Sequence, residues 1–316
     1  MLPNVVIAGA QKSGTTSLFH WLADHPDVCG SNVKEARYLM DPDTFFFKKA
    51  SNFRDHGFEG YEAYFRHCEG SSPTVVLEGT PTYLYQRTAP EVLSQLDPVP
   101  DVIFVFRNPS ERAYSHFRYF KDTKARIARG VSFRQFVTLA LEEDPLLTKM
   151  TTEGASRIIA NSRYADYVPL WFERFPRDRL HFLLFEDMTR DQRSFVKGIA
   201  ERVGLRADFF ETYEFKKWNE SFRIKHPRVH GIRRELGRHL PASVRDRLKT
   251  ATAPAYARLN VETGGSRRTQ DELDVIGELD EYFEPLNERL AELTDLDLTA
   301  WRERRASPAK PDPSPA

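Results

Sequence analysis

The sequence predicts an α/β fold in which a P-loop-type parallel sheet carries helices on both faces, with a helical insertion toward the C-terminus. Three observations support this prediction. Short apolar runs lack the polar alternation of half-exposed strands, as expected of strands buried on both faces. Amphipathic segments separate these runs, which is typical of a doubly wound sheet. The first run also enters a glycine-bounded turn that leads into a helix.

The predicted strands are the apolar runs Val5–Ala8, Val75–Leu77, Val102–Phe106 and Leu180–Phe185. The predicted helices are the amphipathic segments Thr16–Ala23, Pro109–Lys121 and Tyr164–Phe175. The helix at Pro109 has the clearest start signals, because Asn108 suits the N-cap, proline suits the first helical position and Glu111 stands at the spacing of a capping box.

The C-terminal third contains a basic stretch and a helical stretch. Residues 216–258 are rich in lysine and arginine and are interrupted by prolines, which predicts an irregular or helical insertion over the active-site edge of the sheet. Leucine, isoleucine and phenylalanine then recur at helical spacing between Leu273 and Leu293, and Pro285 is expected to start a second helix after a break. Residues 1–305 are expected to form a single domain, and residues 306–316 a disordered tail.

Composition excludes some classes of protein. Lysine plus arginine and aspartate plus glutamate each number 46, so the basic surplus typical of nucleic-acid-binding domains is missing. Cys29 and Cys68 cannot form a zinc site on their own and are expected to be thiols. The N-terminus shows no signal peptide and the chain no run of about eighteen apolar residues. We therefore expect a cytoplasmic protein without a transmembrane segment.

The turn after the first predicted strand has the chemistry of an anion-binding loop. Gly9 and Gly14 allow a tight turn and a close approach of the backbone, and the helix that follows offers unpaired amides. A kinase-type P-loop places its lysine after the second glycine. Here Lys12 precedes Gly14 by two residues, and Thr15 takes the usual position of the lysine.

The ends of the predicted strands do not suggest a magnesium site. P-loop NTPases hold magnesium partly with an aspartate at the end of a neighbouring strand. The corresponding residues here are Arg107, an anion ligand, and Glu78. A transferred group that carries less charge than a triphosphate could be stabilised by a lysine and backbone donors without a metal.

At this point the sequence resembles the sulfotransferases that use 3'-phosphoadenosine 5'-phosphosulfate (PAPS), most of all the branch of heparan sulfate O- and N-sulfotransferases and their bacterial relatives. The segments that carry the resemblance are AQKSGTTSLFHWLADHPDV, FRNPSERAYSHF, KEARYLMD at 34–41, LEGTPTYLY at 77–85, NSRYADYVPLWFERFP and LDEYFEPLNERL. The resemblance spans residues 4 to about 295, with 216–258 unmatched.

The resemblance implies a set of nucleotide-binding residues. The 5'-phosphosulfate would be held by Gln11, Lys12, Ser13, Gly14, Thr15 and Thr16. Arg107 and Ser115 would bind the 3'-phosphate, and Tyr164 would lie near the adenine. The family has a mobile loop that closes over the 3'-phosphate, and this loop resembles the segment with Gly265, Ser266, Arg267 and Arg268.

The resemblance also implies the catalytic groups. Glu35 matches the glutamate of the branch and would take the proton from the acceptor, while Lys12 would stabilise the departing phosphate. Glu78, at a strand end, is the second candidate base or an orienting group. His116 and His20 are weaker candidates. Leu39 stands where the branch usually has a second aromatic after Tyr38, which leaves the shape of the acceptor pocket open.

The expected function is therefore in-line transfer of a sulfuryl group from PAPS, without a metal, to an acceptor hydroxyl, with an amine as the alternative. The acceptor would be a glycan, a lipid or a polyketide-like alcohol, free or bound to a carrier. The basic residues expected to line an acceptor cleft, a lid or a docking surface for an acidic carrier are Lys216, Lys217, Arg223, Lys225, Arg228, Arg233 and Arg234. The rivals are a P-loop kinase for a small molecule or nucleotide and a catalytically inactive nucleotide-binding protein. Neither a nucleic-acid partner nor a particular oligomeric state is expected.

Overall fold

The computed structural model describes residues 1–216, 218, 222–224, 261–263 and 268–306. Its main element is a five-stranded sheet in which neighbouring strands are parallel. The strands are β1 (Val5–Gly9), β2 (Val28–Gly30), β3 (Val75–Gly79), β4 (Asp101–Phe106) and β5 (Leu180–Leu184). Their order is β2-β3-β1-β4-β5. All four predicted strands are present with ends shifted by one or two residues, and the three-residue edge strand β2 is an addition.

The sheet separates two apolar cores, which confirms that helices cover both of its faces. Because successive side chains point to opposite faces of a strand, Val6 and Ala8 of β1 pack into one core while Val5 and Ile7 pack into the other. The other buried strands divide their residues in the same way. This double burial explains why the strands have continuous apolar runs.

The helices of the described residues alternate with the strands along most of the chain. They are α1 (Thr15–Ala23), α2 (Phe53–Glu62), α3 (Thr88–Leu93), α4 (Pro109–Arg118), α5 (Phe133–Leu141), α6 (Leu146–Met150), α7 (Glu153–Ser156), α8 (Val168–Phe172), α9 (Phe185–Arg190), α10 (Gln192–Arg202), α11 (Gln270–Thr294) and α12 (Thr299–Ala306). A π-helical turn, Tyr119–Thr123, extends α4. As predicted, the side chain of Asn108 caps α4 by accepting a hydrogen bond from the amide of Glu111.

Two helix predictions were wrong. The expected helix Tyr164–Phe175 is a 3-10 turn, Tyr164–Asp166, followed by the short α8, since Pro169 in the first turn of α8 interrupts the run. Pro285 does not start a second helix, because α11 runs through it. Pro285 lies on the exposed face of α11, where water can satisfy the freed carbonyl, while Phe283 and Leu290 anchor the buried face.

The expectation of two free thiols was also wrong. Cys29 and Cys68 form a disulfide whose Cα atoms are 6.0 Å apart. Their separation along the chain gave no sign of this contact, which arises because Cys29 lies on the edge strand β2 and Cys68 ends a 3-10 turn, Arg66–Cys68, that packs beside it.

Several predicted regions lie outside the described residues. Of the basic stretch 216–258, the structure describes Lys216, Trp218 and the strand β6 (Phe222–Ile224), which pairs antiparallel with β7 (Val261–Thr263). Apart from Ala306, the predicted tail 306–316 is likewise outside. Within the described ranges, none of the helices combines the length and the apolar character needed to cross a membrane.

Candidate active site

The loop between β1 and α1 has the backbone geometry of an anion cradle. Lys12 and Gly14 both have positive φ angles, of 69° and 75°. Gly14 is the N-cap of α1, and no side chain caps the helix there. A Cβ added to Gly14 would lie 2.0 Å from Cε of Met188, the end of a flexible side chain, so the positive φ angle is the stronger reason for glycine here. The start of α1 therefore presents its positive dipole end to the loop.

Ser13 gives the most specific sign of a ligand in this loop. Its side chain is 0% exposed, and among the described residues its Oγ has no hydrogen-bond partner. Leaving a buried hydroxyl unpaired costs about 1–3 kcal/mol. Thr15 is buried beside it, whereas Thr16 is partly exposed. An anion at the start of α1 would provide the acceptor that Ser13 lacks.

Lys12, in the same loop, is a partly buried cation. Its Nζ is 4.4 Å from the ring centroid of Tyr119, in the π-helical turn after α4. Burial, followed by the charges of Arg107 and Lys124, lowers the pKa of Lys12 to about 8. The ammonium group is thus crowded by other cations, and an anion placed among them would be bound strongly.

Arg107, at the end of β4, closes one side of the loop. Its guanidinium donates to the carbonyl of Lys12 at 3.4 Å and to the carboxylate of Glu111 at 3.2 Å. Arg268 donates to both oxygens of the same carboxylate, at 2.6 and 2.7 Å. Glu111 therefore holds the two arginines together, although 161 residues separate them in the sequence. Ser115 is partly exposed on α4, one helical turn further on.

Tyr164 is a packed residue in this structure. It is 1% exposed, its ring stacks on Phe106 at 4.6 Å, and its hydroxyl donates to the carbonyl of Arg107 at 3.0 Å. Tyr164 thus fixes the backbone of Arg107. Its contact with an adenine stays a prediction, and the same holds for Gly265, Ser266 and Arg267, which lie outside the described residues.

Arg112 is a functional candidate to which the sequence analysis assigned no role. It is 0% exposed. Its guanidinium donates to Oγ of Ser162, to the carbonyl of Ile158 at 2.6 Å and to the carbonyl of Gln11 at 3.4 Å. Neutral oxygens therefore surround this buried positive charge, and its field reaches the loop that carries Lys12. The signal for it was its position on α4, between Ser115 and Arg107, which precedes the helix.

Glu35 lies on the opposite side of the loop from Arg107. Its amide donates to the carbonyl of Gly79 at 3.0 Å, so Glu35 lies beside the end of β3. Glu35 and Arg37 have positive φ angles of 62° and 52°, which is unusual for non-glycine residues. The carboxylate pairs with Lys34 at 3.3 Å and with Arg37. Burial would raise the pKa of Glu35, but the charges of Lys34 and Arg37 outweigh it and hold that pKa below its ordinary value.

Glu78 is linked by hydrogen bonds to the segment that carries Glu35. It is 0% exposed, and its carboxylate accepts hydrogen bonds from the hydroxyls of Thr80 at 2.5 Å and Tyr61 at 3.1 Å. Thr80 in turn accepts from the amide of Arg37 at 3.2 Å. Burial raises the pKa of Glu78 to about 7, although both hydroxyl groups act against that rise. Glu78 thus orients the segment of Glu35 rather than Lys12.

The two histidines considered as bases each stack on an aromatic ring. His116 is buried on α4, stacks on Phe120 at 4.6 Å and lies 3.4 Å from the guanidinium of Arg112. Burial, Arg112 and Lys12 hold the pKa of His116 well below its ordinary value. His20, on α1, stacks on Trp218 at 4.0 Å. His116 is therefore a neutral packing residue, and His20 packs against the segment after α10.

The sheet topology brings these groups to one edge. β1 lies between β3 and β4, and the three strands run parallel. The loop of Lys12 therefore has Arg107 on one side and Glu35 on the other, as expected for a ligand crevice at the carboxyl ends of the strands. Lys12, Arg107 and Arg268 form the cationic half of this crevice, and Glu35 lies in the other half with Lys34 and Arg37.

The comparisons with known proteins agree on one family. A family model described as "Sulfotransferase domain" matches residues 2–230. The bifunctional heparan sulfate N-deacetylase/N-sulfotransferase 1 of Caenorhabditis elegans is 24% identical over 213 residues, which cover 67% of this chain and 23% of that protein. The corresponding enzyme 2 of Mus musculus is 28% identical over 207 residues, which cover 65% of this chain and 22% of that protein. The chain thus spans less than a quarter of these curated relatives.

A solved structure shares the fold. The sulfotransferase from Alicyclobacillus acidocaldarius aligns with a TM-score of 0.65 and 23% sequence identity, over 96% of this chain and 99% of that one. The resemblance predicted from the loop and from the segment at Arg107 is therefore confirmed, and so is the predicted fold class.

Proposed function

This chain belongs to the sulfotransferase domain family, and from that premise we propose that it transfers a sulfuryl group from PAPS to an acceptor hydroxyl. The observation that carries the choice of donor is the unpaired, buried Oγ of Ser13 at the start of α1. A hydroxyl donor, a helix N-terminus and the ammonium group of Lys12 all belong to this loop. An oxygen-rich anion such as the phosphosulfate satisfies all three.

The residues of the cationic half divide between the two anionic ends of PAPS. Gln11, Lys12, Ser13, Gly14, Thr15 and Thr16 would hold the 5'-phosphosulfate, which supplies the transferable sulfuryl group. Arg107, Ser115 and Arg268 would hold the 3'-phosphate. The bridge through Glu111 supports this assignment, because it brings two guanidinium groups to the same carboxylate.

Lys12 would act on the leaving group. Negative charge grows on the oxygen between sulfur and phosphorus as that bond breaks, and an ammonium group hydrogen-bonded there stabilises the transition state more than the ground state. Tyr119 and the neighbouring cations hold Lys12 partly desolvated. No metal ion is part of the proposal.

Glu35 would take the proton that the acceptor loses when it attacks sulfur. Accessibility decides between the two carboxylates, because a base must reach the proton before its pKa matters. The side chain of Glu35 is 29% exposed, whereas Glu78 is fully buried beneath it with both oxygens occupied. The pairs with Lys34 and Arg37 would orient Glu35 toward the acceptor.

The acceptor class is the least constrained part of the proposal. A glycan, a lipid or a polyketide-like alcohol each offers a hydroxyl. The relatives named as heparan sulfate N-sulfotransferases favour a glycan and keep an amine as the alternative. Transfer of labelled sulfate from PAPS to a panel of these acceptors would identify the class.

The choice of nucleotide is testable by thermal unfolding. A ligand that binds only the folded chain at about 100 times its Kd adds about 2.7 kcal/mol of stability. We expect 3'-phosphoadenosine 5'-phosphate (PAP) to raise the Tm by roughly 5 °C, and ATP with magnesium to raise it far less. A larger shift with ATP and magnesium would favour a kinase. A shift with PAP but no transfer to any acceptor would favour an inactive binding protein.

Arg107→Ala should weaken PAP binding by about 10–100-fold, because one charge-assisted contact contributes about 1.5–3 kcal/mol. The assay is calorimetric titration with PAP and with adenosine 5'-phosphate, which lacks the 3'-phosphate. Arg107→Ala should lose affinity for PAP but keep its affinity for adenosine 5'-phosphate. Arg174→Ala, a change of an exposed arginine after α8, should keep its affinity for both nucleotides. Equal losses for both nucleotides would remove Arg107 from the 3'-phosphate.

A further inference from the structure

The disulfide between Cys29 and Cys68 has an imidazole beside both of its sulfurs. Nε2 of His67 is 3.5 Å from Sγ of Cys29 and 3.7 Å from Sγ of Cys68. His67 is exposed, Cys29 is partly buried and Cys68 is fully buried. These three residues are a potential metal-ligating group within the described residues, because their donor atoms all lie within 4.8 Å of one another.

The distances from nitrogen to sulfur match those of a tetrahedral zinc site. Zinc binds thiolate sulfur at about 2.3 Å and imidazole nitrogen at about 2.0–2.1 Å. With a tetrahedral angle between them, the sulfur and nitrogen ligands are about 3.5 Å apart. His67 already stands at that distance from both sulfurs. Only the two sulfurs have to separate, and rotation of two side chains whose Cα atoms are 6.0 Å apart achieves this.

We propose that reduction of the Cys29–Cys68 disulfide creates a zinc site formed by these two thiolates and Nε2 of His67. A reductant of the thiol or phosphine class breaks the bond. A dithiol gives two electrons and two protons and becomes a disulfide, whereas a phosphine takes the oxygen of a water, whose two protons go to the sulfurs. Zinc then displaces both thiol protons. Nε2 now donates its proton to the carbonyl of Gly30 at 3.0 Å. To bind the metal it releases that proton to water, and Nδ1 takes one up, so the ring stays neutral.

The fourth zinc position would hold water, because His67 brings the site to the surface. Disulfide and zinc would each tie the edge strand β2 to the turn Arg66–Cys68. This cross-link affects the candidate active site, because β2 leads directly into the segment of Glu35. The amide of Ser31, just after β2, donates to the carbonyl of Leu77 in β3. The reduced, metal-free chain should therefore be the least stable of the three forms.

The test is titration of the full chain, reduced with a phosphine and stripped of metal, with zinc against a chromophoric chelator and with cobalt followed by absorbance. We expect one zinc per chain and the cobalt bands of a tetrahedral site with two thiolates. His67→Ala should weaken zinc by at least about tenfold, as loss of one of three protein ligands requires. His56→Ala, a change of an exposed histidine on α2, should leave the affinity unchanged.

The oxidised chain is the internal control, since it keeps the same fold without thiolates and should bind no zinc. Zinc should raise the Tm of the reduced chain and not that of the oxidised chain. Two results would overturn the proposal: equal zinc affinity of wild type and His67→Ala, which would mean that the dithiol alone chelates the metal, or equal affinity of the reduced and oxidised chains. Neither measurement depends on sulfuryl transfer.

Discussion

Replacement of Lys12 by alanine is expected to lower kcat for sulfuryl transfer by about 10²–10³-fold, the usual cost of one lost donor at a developing negative charge. The affinity for PAP should fall less, because the contact with the leaving oxygen strengthens only in the transition state. Single-turnover rates with labelled PAPS and calorimetric affinity for PAP measure the two effects separately. Lys149→Ala, a change of an exposed lysine on α6, is the matched control.

The pH profile adds a second readout for Lys12. Its pKa is lowered to about 8 in the free protein, so the ammonium form predominates below pH 8 and is lost above it. We expect kcat/KM for PAPS to fall as the pH rises through about 8, since kcat/KM reports the free enzyme. Lys12→Arg should move this fall to higher pH. If kcat/KM of Lys12→Arg falls at the same pH as that of the wild type, a group other than Lys12 titrates.

The second large effect is expected for Glu35→Gln, which should lower kcat/KM by about 10²–10⁴-fold, the range that a positioned general base contributes. The amide keeps the shape of the side chain and a carbonyl to pair with Lys34 or Arg37, but it cannot accept a proton. The affinity for PAP should be unchanged, because the variant lies on the acceptor side of the loop. Glu59→Gln, a change of an exposed glutamate on α2, controls for loss of surface charge.

The acid side of the pH profile distinguishes the two carboxylates. The pKa of Glu35 lies below its ordinary value, so a profile governed by Glu35 should be flat from about pH 5.5 to 7.5. The pKa of Glu78 is raised to about 7, so a profile governed by Glu78 should fall about tenfold per pH unit below 7. Such a fall, together with near-normal turnover of Glu35→Gln, would transfer the role of base to Glu78.

The central part of the fold was predictable because the residue types in its strands and in its anion-binding loop follow directly from their surroundings. Strands buried on both faces read as continuous apolar runs, and a loop that binds an anion needs glycines and a cation at a strand end. The position of Lys12 before Gly14 separated this loop from a kinase loop. The edge strand β2 was missed because its three residues, Val28–Gly30, are too few to show a period.

Contacts between distant residues were not predictable in the same way. The ring of Tyr119 beside Lys12, the carboxylate of Glu111 between two arginines and the disulfide each depend on the packing of elements far apart in sequence. Continuation of α11 through Pro285 depends on the buried face on either side of the proline, which outweighs the local penalty. The low pKa of Glu35 and the high pKa of Glu78 likewise follow from neighbours and burial, not from residue type.

The carboxylate that joins Arg107 to Arg268 would also affect the rate of turnover in the proposed reaction. Two guanidinium groups and one carboxylate carry a net charge of +1, so a 3'-phosphate bound there would meet half the charge that two arginines alone would present. Its binding would be weaker, and release of the nucleotide product would be faster. Once the product had left, Glu111 would pair with both arginines again. A carboxylate inside the binding site would thus lower the affinity for the nucleotide and shorten the time before the next one binds.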